Sequence, residues 1–201
     1  DDELLVYFGV WDLRHGTGTA PPDRGAVRSH FASTHDGATW SAVRGVYEPG
    51  WWLWRVRRHD GAFYSAAYTA VRPKPDSRET RLVRSENGVD WTTVSTVTGA
   101  HMAGEADLLF AADGSMRLLS RTGNGSGNAY WYSTDSGRQV WTEKDTGVLV
   151  HAPGFAEWKD RLFVAGRAKG ADGYVTRLWE VRGDELVERL TLPSGGDTSY
   201  P

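Results

Sequence analysis

The sequence predicts an all-β chain folded as a β-propeller of four-stranded antiparallel blades, and three observations carry that expectation. Ten of the 201 residues are Trp, and three of these close a turn motif that recurs at spacings of 51 and 50 residues. A second set of turn signals falls between the first, dividing each repeat into four short apolar runs. No stretch sustains a helical period, so the runs read as strands. One twisted antiparallel sheet cannot bury both of its faces alone; stacking such sheets radially does so, and that is the propeller solution.

The recurring motif is Thr34-His35-Asp36-Gly37-Ala38-Thr39-Trp40, then Ser85-Glu86-Asn87-Gly88-Val89-Asp90-Trp91, then Ser133-Thr134-Asp135-Ser136-Gly137 leading to Trp141. Asp60-Gly61, Asp113-Gly114 and Lys159-Asp160 lie between apolar runs and read as hairpin turns. The second unit then has strands at Trp51 to Val56, Ala62 to Ala70, Thr80 to Arg84 and Thr92 to Val97. In the third they fall at Ala106 to Ala111, Ser115 to Arg121, Ala129 to Ser133 and Val140 to Lys144. In the fourth they fall at Gly154 to Trp158, Leu162 to Arg167, Tyr174 to Val181 and Leu186 to Leu192, and the last turn, Arg182-Gly183-Asp184, lacks the Trp. Asp1 to Trp11 reads as the second strand of the first blade, and Gly196 to Pro201 stands where its first strand is expected. The chain is expected to be a single domain with blades at 1–46 together with 194–201, 47–97, 98–146 and 147–193. That makes about four blades, either a circle closed by pairing the two termini in one blade or, as the preferred expectation, a piece of a propeller of five or six.

An apolar fraction of 39% with 24% charged residues suits a packed globular domain, and a net charge of −3 argues against a general nucleic-acid binder. No apolar run is long enough for a membrane helix, so no membrane span is expected. The lack of Cys excludes disulfides and thiolate metal sites, and neither His101 nor His151 stands in a metal-ligand spacing. No metal or organic cofactor is expected. Arg outnumbers Lys 19 to 4, a bias that fits a GC-rich coding genome and also supplies forks for carboxylates. Nothing in the sequence bears on the oligomeric state.

The motifs at 33–40, 85–91 and 133–141 look like the Asp-box, or BNR repeat. With Leu162-Phe163-Val164-Ala165-Gly166-Arg167 and Gly195-Gly196-Asp197-Thr198-Ser199-Tyr200-Pro201, the chain resembles the sialidase (neuraminidase) superfamily over nearly its whole length. The resemblance implies that the boxes are structural turns on the face away from the site, with a Trp packed between blades. It also implies a carbohydrate ligand, and it favours an exported or extracellular protein. In sialidases three Arg hold a sugar carboxylate, a Tyr nucleophile is activated by a Glu, and an Asp is the general acid/base. A neutral Tyr suits an anomeric centre that already carries a carboxylate, because the approach meets less repulsion.

If first strands begin at one end of the axis, the loops between second and third strands lie at that end too. Those loops, Asp12 to Arg24, Val71 to Glu79, Thr122 to Asn128 and Ala168 to Gly173, are rich in Gly, Pro and charge, as a binding rim requires. Carried onto this chain, the resemblance gives Tyr200 as nucleophile, Glu105 as its activator and Asp23 as acid/base, with Asp12 behind Asp23. Arg121, sixteen residues after Glu105, and Arg167 are the candidate carboxylate forks. Arg14, Glu48, Trp52, His151 and Asp197 complete the candidate binding set. The family's first Arg stands in a Phe/Tyr-Arg-Ile-Pro segment that this chain lacks. Each candidate also has a structural reading: a rim ion pair for Glu105 and Arg121, a buried blade aromatic for Tyr200, a solvated side chain for Asp23, a strand-end charge for Arg167. Two functions follow, an exo-acting glycoside hydrolase on sialic acid or a related acidic sugar, or a non-catalytic propeller that binds glycans or protein partners. In the second, Trp51, Trp52 and Trp54 offer a stacking surface.

Overall fold

A computed structural model of the chain describes residues 3–11, 27–69, 78–123, 127–192 and 194. The described residues form β-strands and no helix, so none is long and apolar enough to cross a membrane. The first sheet has strands β1 (Leu4–Trp11), β2 (Val27–Thr34) and β3 (Arg44–Val46), in that order. The second runs β4 (Trp51–His59), β5 (Ala62–Thr69), β6 (Thr80–Ser85), β7 (Thr92–Thr98). The third runs β8 (Ala106–Phe110), β9 (Met116–Ser120), β10 (Tyr130–Thr134), β11 (Thr142–Asp145). The fourth runs β12 (His151–Trp158), β13 (Arg161–Lys169), β14 (Tyr174–Arg182), β15 (Glu185–Leu192). Each is an antiparallel meander, and together they are blades of a β-propeller. In the first sheet β1 is an edge strand paired with β2; Gly196 to Pro201, expected beside it, lies outside the described residues.

The turn residues dictate the hairpins. Asp60 and Gly61 have φ of +47° and +78°, and Lys159 and Asp160 have φ of +47° and +59°, the pair of left-handed residues that matches strand twist in a two-residue turn. The recurring motif closes the other end of the blades by a shared network. Asp36 Oδ1 accepts from the backbone N–H of Ala38 (2.8 Å) and Thr39 (2.7 Å), and Asn87 Oδ1 accepts from Val89 and Asp90 (both 2.9 Å). Thr34 Oγ1 and Ser85 Oγ each accept from the Gly N–H three residues on, at 2.9 Å. Those bonds, led by Thr39 N–H, hold the Asp36 carboxyl down to about 2.

Three apolar seams join the blades. Phe31 and Val46 meet Trp51, Leu53 and Trp91; Tyr64 and Leu82 meet Leu108, Met116 and Tyr132; Leu119 and Trp131 meet Phe155, Val164 and Trp179. Fully burying each aliphatic side chain in these seams stabilises by about 1.5–3 kcal/mol. The motif Trp follows the expected packing in two blades. Trp91 is buried edge-on to Tyr7 of the preceding blade, and Trp141 donates to Ser95 Oγ at 2.9 Å. Trp40 departs from it, being 45% exposed. Its blade is the first, and no earlier blade is described for it to pack against.

β12 begins at His151 rather than at Gly154. A bulge between His151 and Gly154 absorbs Pro153, which has no N–H for the ladder, and His151 resumes pairing with Arg167. Deeper along the axis the inner strands are tied through Asp107, which is fully buried. Arg57 of β4 grips both its oxygens, Phe155 N–H of β12 donates at 2.8 Å, and Arg55 Nε reaches Pro153 O at 3.0 Å.

Candidate functional site

Registers within the blades put the first-strand starts beside the second-strand ends: Trp51 opposite Thr69, Ala106 opposite Ser120, His151 opposite Arg167. Contacts between blades bring these positions to one end of the molecule. Trp52 packs edge-on to Trp11, the Arg78 guanidinium lies against Gly104, and Glu105 reaches Ala152. The turns carrying the recurring motif lie at the other end, where Ser85 pairs with Phe63 and His59 with Ala62.

The charged half of this end is built by the third and fourth blades. Arg121 Nη1 donates to Glu105 Oε1 at 2.7 Å, and the backbone N–H of Ala152 donates to Glu105 Oε2 at 3.0 Å. Both carboxylate oxygens are thereby engaged. Ala152 has φ of +48°, a left-handed conformation that is costly for a residue with a Cβ, and the bond its N–H donates to Glu105 helps hold it there. Next to it, His151 is 1% exposed and accepts from Arg167 Nε and Nη2 at 3.3 and 3.1 Å on Nδ1. Burial first, then the charges of Arg121 and Arg167, push the imidazole down to about 4, so the ring is neutral near pH 7. The Arg167 guanidinium also lies 4.8 Å over the ring of Tyr174.

The aromatic half comes from the first two blades. Trp52 meets Trp11 and Tyr68 edge-on at centroid distances of 6.1 and 6.0 Å, and Trp54 lies 6.4 Å from Tyr68. Gly9 permits this packing, since a Cβ there would lie 2.8 Å from Trp52 Nε1. Trp51 faces the other way into the seam, with Arg81 stacked over it at 4.1 Å. Arg78 stacks on Tyr68 at 5.0 Å, at the junction of the aromatic and charged halves.

Of the residues expected from the sequence, the fold brings Glu105, Arg121, His151 and Arg167 together, and puts Trp52 on the aromatic side of the same end. Glu48 is mostly exposed and lies 3.5 Å from Arg81, in a network with Glu79 and Tyr47. Asp12, Arg14, Asp23, Asp197 and Tyr200 lie outside the described residues. His101 Nε2 donates to Glu143 Oε1 at 2.9 Å, and the ring stacks on Tyr130. Among the described residues no three His, Cys, Asp or Glu side chains come together in a metal-holding group. Sequence reasoning missed Trp11, Tyr68, Arg78 and Tyr174. Trp11 and Tyr68 were findable, because they end second strands as Arg121 and Arg167 nearly do, and the repeat register marks that position in every blade.

No family model and no curated protein matches the chain. Solved structures do match in fold. A protein of unknown function from Dyadobacter fermentans superposes with a TM-score of 0.75 at 16% identity, over 99% of this chain and 64% of its own. An exo-1,5-α-L-arabinanase from a bovine ruminal metagenomic library gives 0.64 at 11% identity, over 100% of this chain and 73% of its own. The NanB sialidase of Streptococcus pneumoniae gives 0.57 at 16% identity, over 87% of this chain and 30% of its own. The chain thus has the fold of β-propeller glycosidases, and it spans less than two thirds of the first of these proteins.

Proposed function

We propose that the protein is a sialidase-like glycoside hydrolase, or part of one, that takes the terminal residue of an acidic glycan at the Glu105–His151 end of the axis. One observation carries the reading: two guanidiniums, Arg121 and Arg167, flank a buried neutral imidazole beside a strained backbone, with the half-buried ring of Trp52, backed by the buried Tyr68, next to them. Guanidiniums fork a carboxylate, and aromatic rings stack on the apolar faces of a sugar. Groups of this kind, fixed in advance by their neighbours, are what a binding or catalytic site needs. The glycosidase fold of the neighbours supports the same class of ligand. In this reading Tyr200 is the nucleophile, Glu105 its activator and Asp23 the acid/base.

A second reading, a propeller that binds glycans without cleaving them, is favoured by the state of Glu105. A carboxylate with both oxygens already bonded to Arg121 and Ala152 is a poor activator of a phenol until one bond is exchanged. Turnover of a chromogenic sialoside by the protein and by Tyr200→Phe separates the two. Loss of turnover in Tyr200→Phe with sialoside binding retained supports hydrolysis through Tyr200. Equal turnover removes Tyr200 as nucleophile, and binding without turnover by either leaves the second reading.

A further inference from the structure

We propose that His151 is a specificity-determining residue of this site, its Nε2–H being a donor kept for an anionic oxygen of the ligand. The inference rests on the glycan-site reading above and narrows it. Arg167 points Nε and Nη2 at His151 Nδ1, and a guanidinium has no lone pair to offer. Nδ1 must therefore accept, and the ring proton sits on Nε2. That Nε2 is buried and has no hydrogen-bond partner among the described residues. A buried donor without an acceptor is costly, and a folded protein keeps one where something outside the fold supplies the acceptor.

The surroundings decide what kind of acceptor fits. Arg121 and Arg167 give the position a positive potential, so an anionic oxygen gains most, a neutral one less, and a cation is repelled. Glu105 does not fill the role, because its oxygens are taken by Arg121 and by the Ala152 N–H. The remaining aromatic neighbour, Tyr174, meets the imidazole as a ring, with centroids 5.6 Å apart. Arg121 itself has a second buried donor, Nε, with no partner among the described residues. Two unpaired donors on neighbouring residues suit a ligand group with more than one acceptor atom, as a carboxylate has. His151 thus adds a neutral donor to the two carboxylate forks, Arg121 and Arg167, that the described residues bring to the site.

The test compares methyl sialoside with its carboxymethyl ester on the full chain and on two variants. His151→Gln keeps an N–H near the Nε2 position; His151→Asn keeps an acceptor for Arg167 and places nothing at Nε2. His151→Asn is expected to weaken sialoside binding roughly 10- to 100-fold, as loss of a hydrogen bond to a charged group does, with little change for the ester. His151→Gln is expected to stay within a few-fold of the parent. In the parent labelled with nitrogen-15 at His, the His151 Nε2–H resonance should move when sialoside, but not ester, is added. Full sialoside affinity in His151→Asn, equal losses for acid and ester, or an unmoved resonance at saturating sialoside each overturn the inference while leaving a glycan site in place. Binding of neither compound to the parent sinks the glycan-site reading and this inference with it. Binding without hydrolysis removes only the hydrolase.

Discussion

Asp107 holds three blades at once, because its carboxylate is shared by Arg57 of β4 and by the Phe155 N–H of β12. Asp107→Ala leaves the buried Phe155 N–H without its acceptor, while Arg57 is partly exposed to water, so it should cost about 1–3 kcal/mol, read as a lower urea midpoint. His151 makes stability depend on pH in a defined direction. Its pKa falls from 6.5 to about 4 on folding, so between those values the unfolded chain binds a proton that the native one does not. Its contribution, of order 3 kcal/mol, is complete above the unfolded pKa and is lost as pH falls toward 4. The midpoint difference between the parent and His151→Gln, measured from about pH 7.5 to about pH 4.5, should shrink on acidification. A constant difference would contradict the buried neutral imidazole. The Glu105–Arg121 contact was legible in the sequence, because two ends of one hairpin set it. Asp107 was not, since Arg57 lies fifty residues away on another blade and no local pattern links them.

At the scale of elements, the repeat motif announced itself because a turn needs residues of fixed kind at fixed offsets. What the motif packs against was hidden, since that depends on the neighbouring blade. Gly37 and Gly88 occupy the same motif position with φ of +72° and +78°. A Cβ at Gly37 meets nothing within 4 Å, whereas one at Gly88 would lie 2.6 Å from the Tyr7 hydroxyl and 2.8 Å from Leu5 Cδ1. Gly37→Ala should therefore cost about 1 kcal/mol for the left-handed backbone alone. Gly88→Ala should cost that and about 1–3 kcal/mol more for the forced seam between the first two blades. Equal losses on chemical denaturation would mean that the motif does not seat against the preceding blade. Trp91→Ala and Trp40→Ala test the same seam. The first should cost about 3–5 kcal/mol and the second, at an exposed ring, under about 1 kcal/mol. The start of β12 escaped the sequence for a different reason, because a bulge around Pro153 breaks the alternation on which strand reading depends.

At the scale of the molecule, labour divides between the two ends of the blades. The features that made the fold legible, the turn motifs and hairpin glycines, act at seams and turns. The features that point to function are single residues contributed by strand starts and ends, which meet only when the blades stack. The apolar side of β1, with Leu4 56% and Phe8 37% exposed, shows how much of a blade's face depends on what lies beside it. In the proposed function a glycan sits where Glu105, Arg121, His151 and Arg167 converge, beside Trp52 and Tyr68. Mapping amide hydrogen exchange with and without methyl sialoside tests it most directly. Added protection is expected in the segments that begin β8 and β12 and end β5, β9 and β13, with none at the turns after β2, β6 and β10. Protection confined to those turns, or none anywhere at saturating sugar, would contradict it.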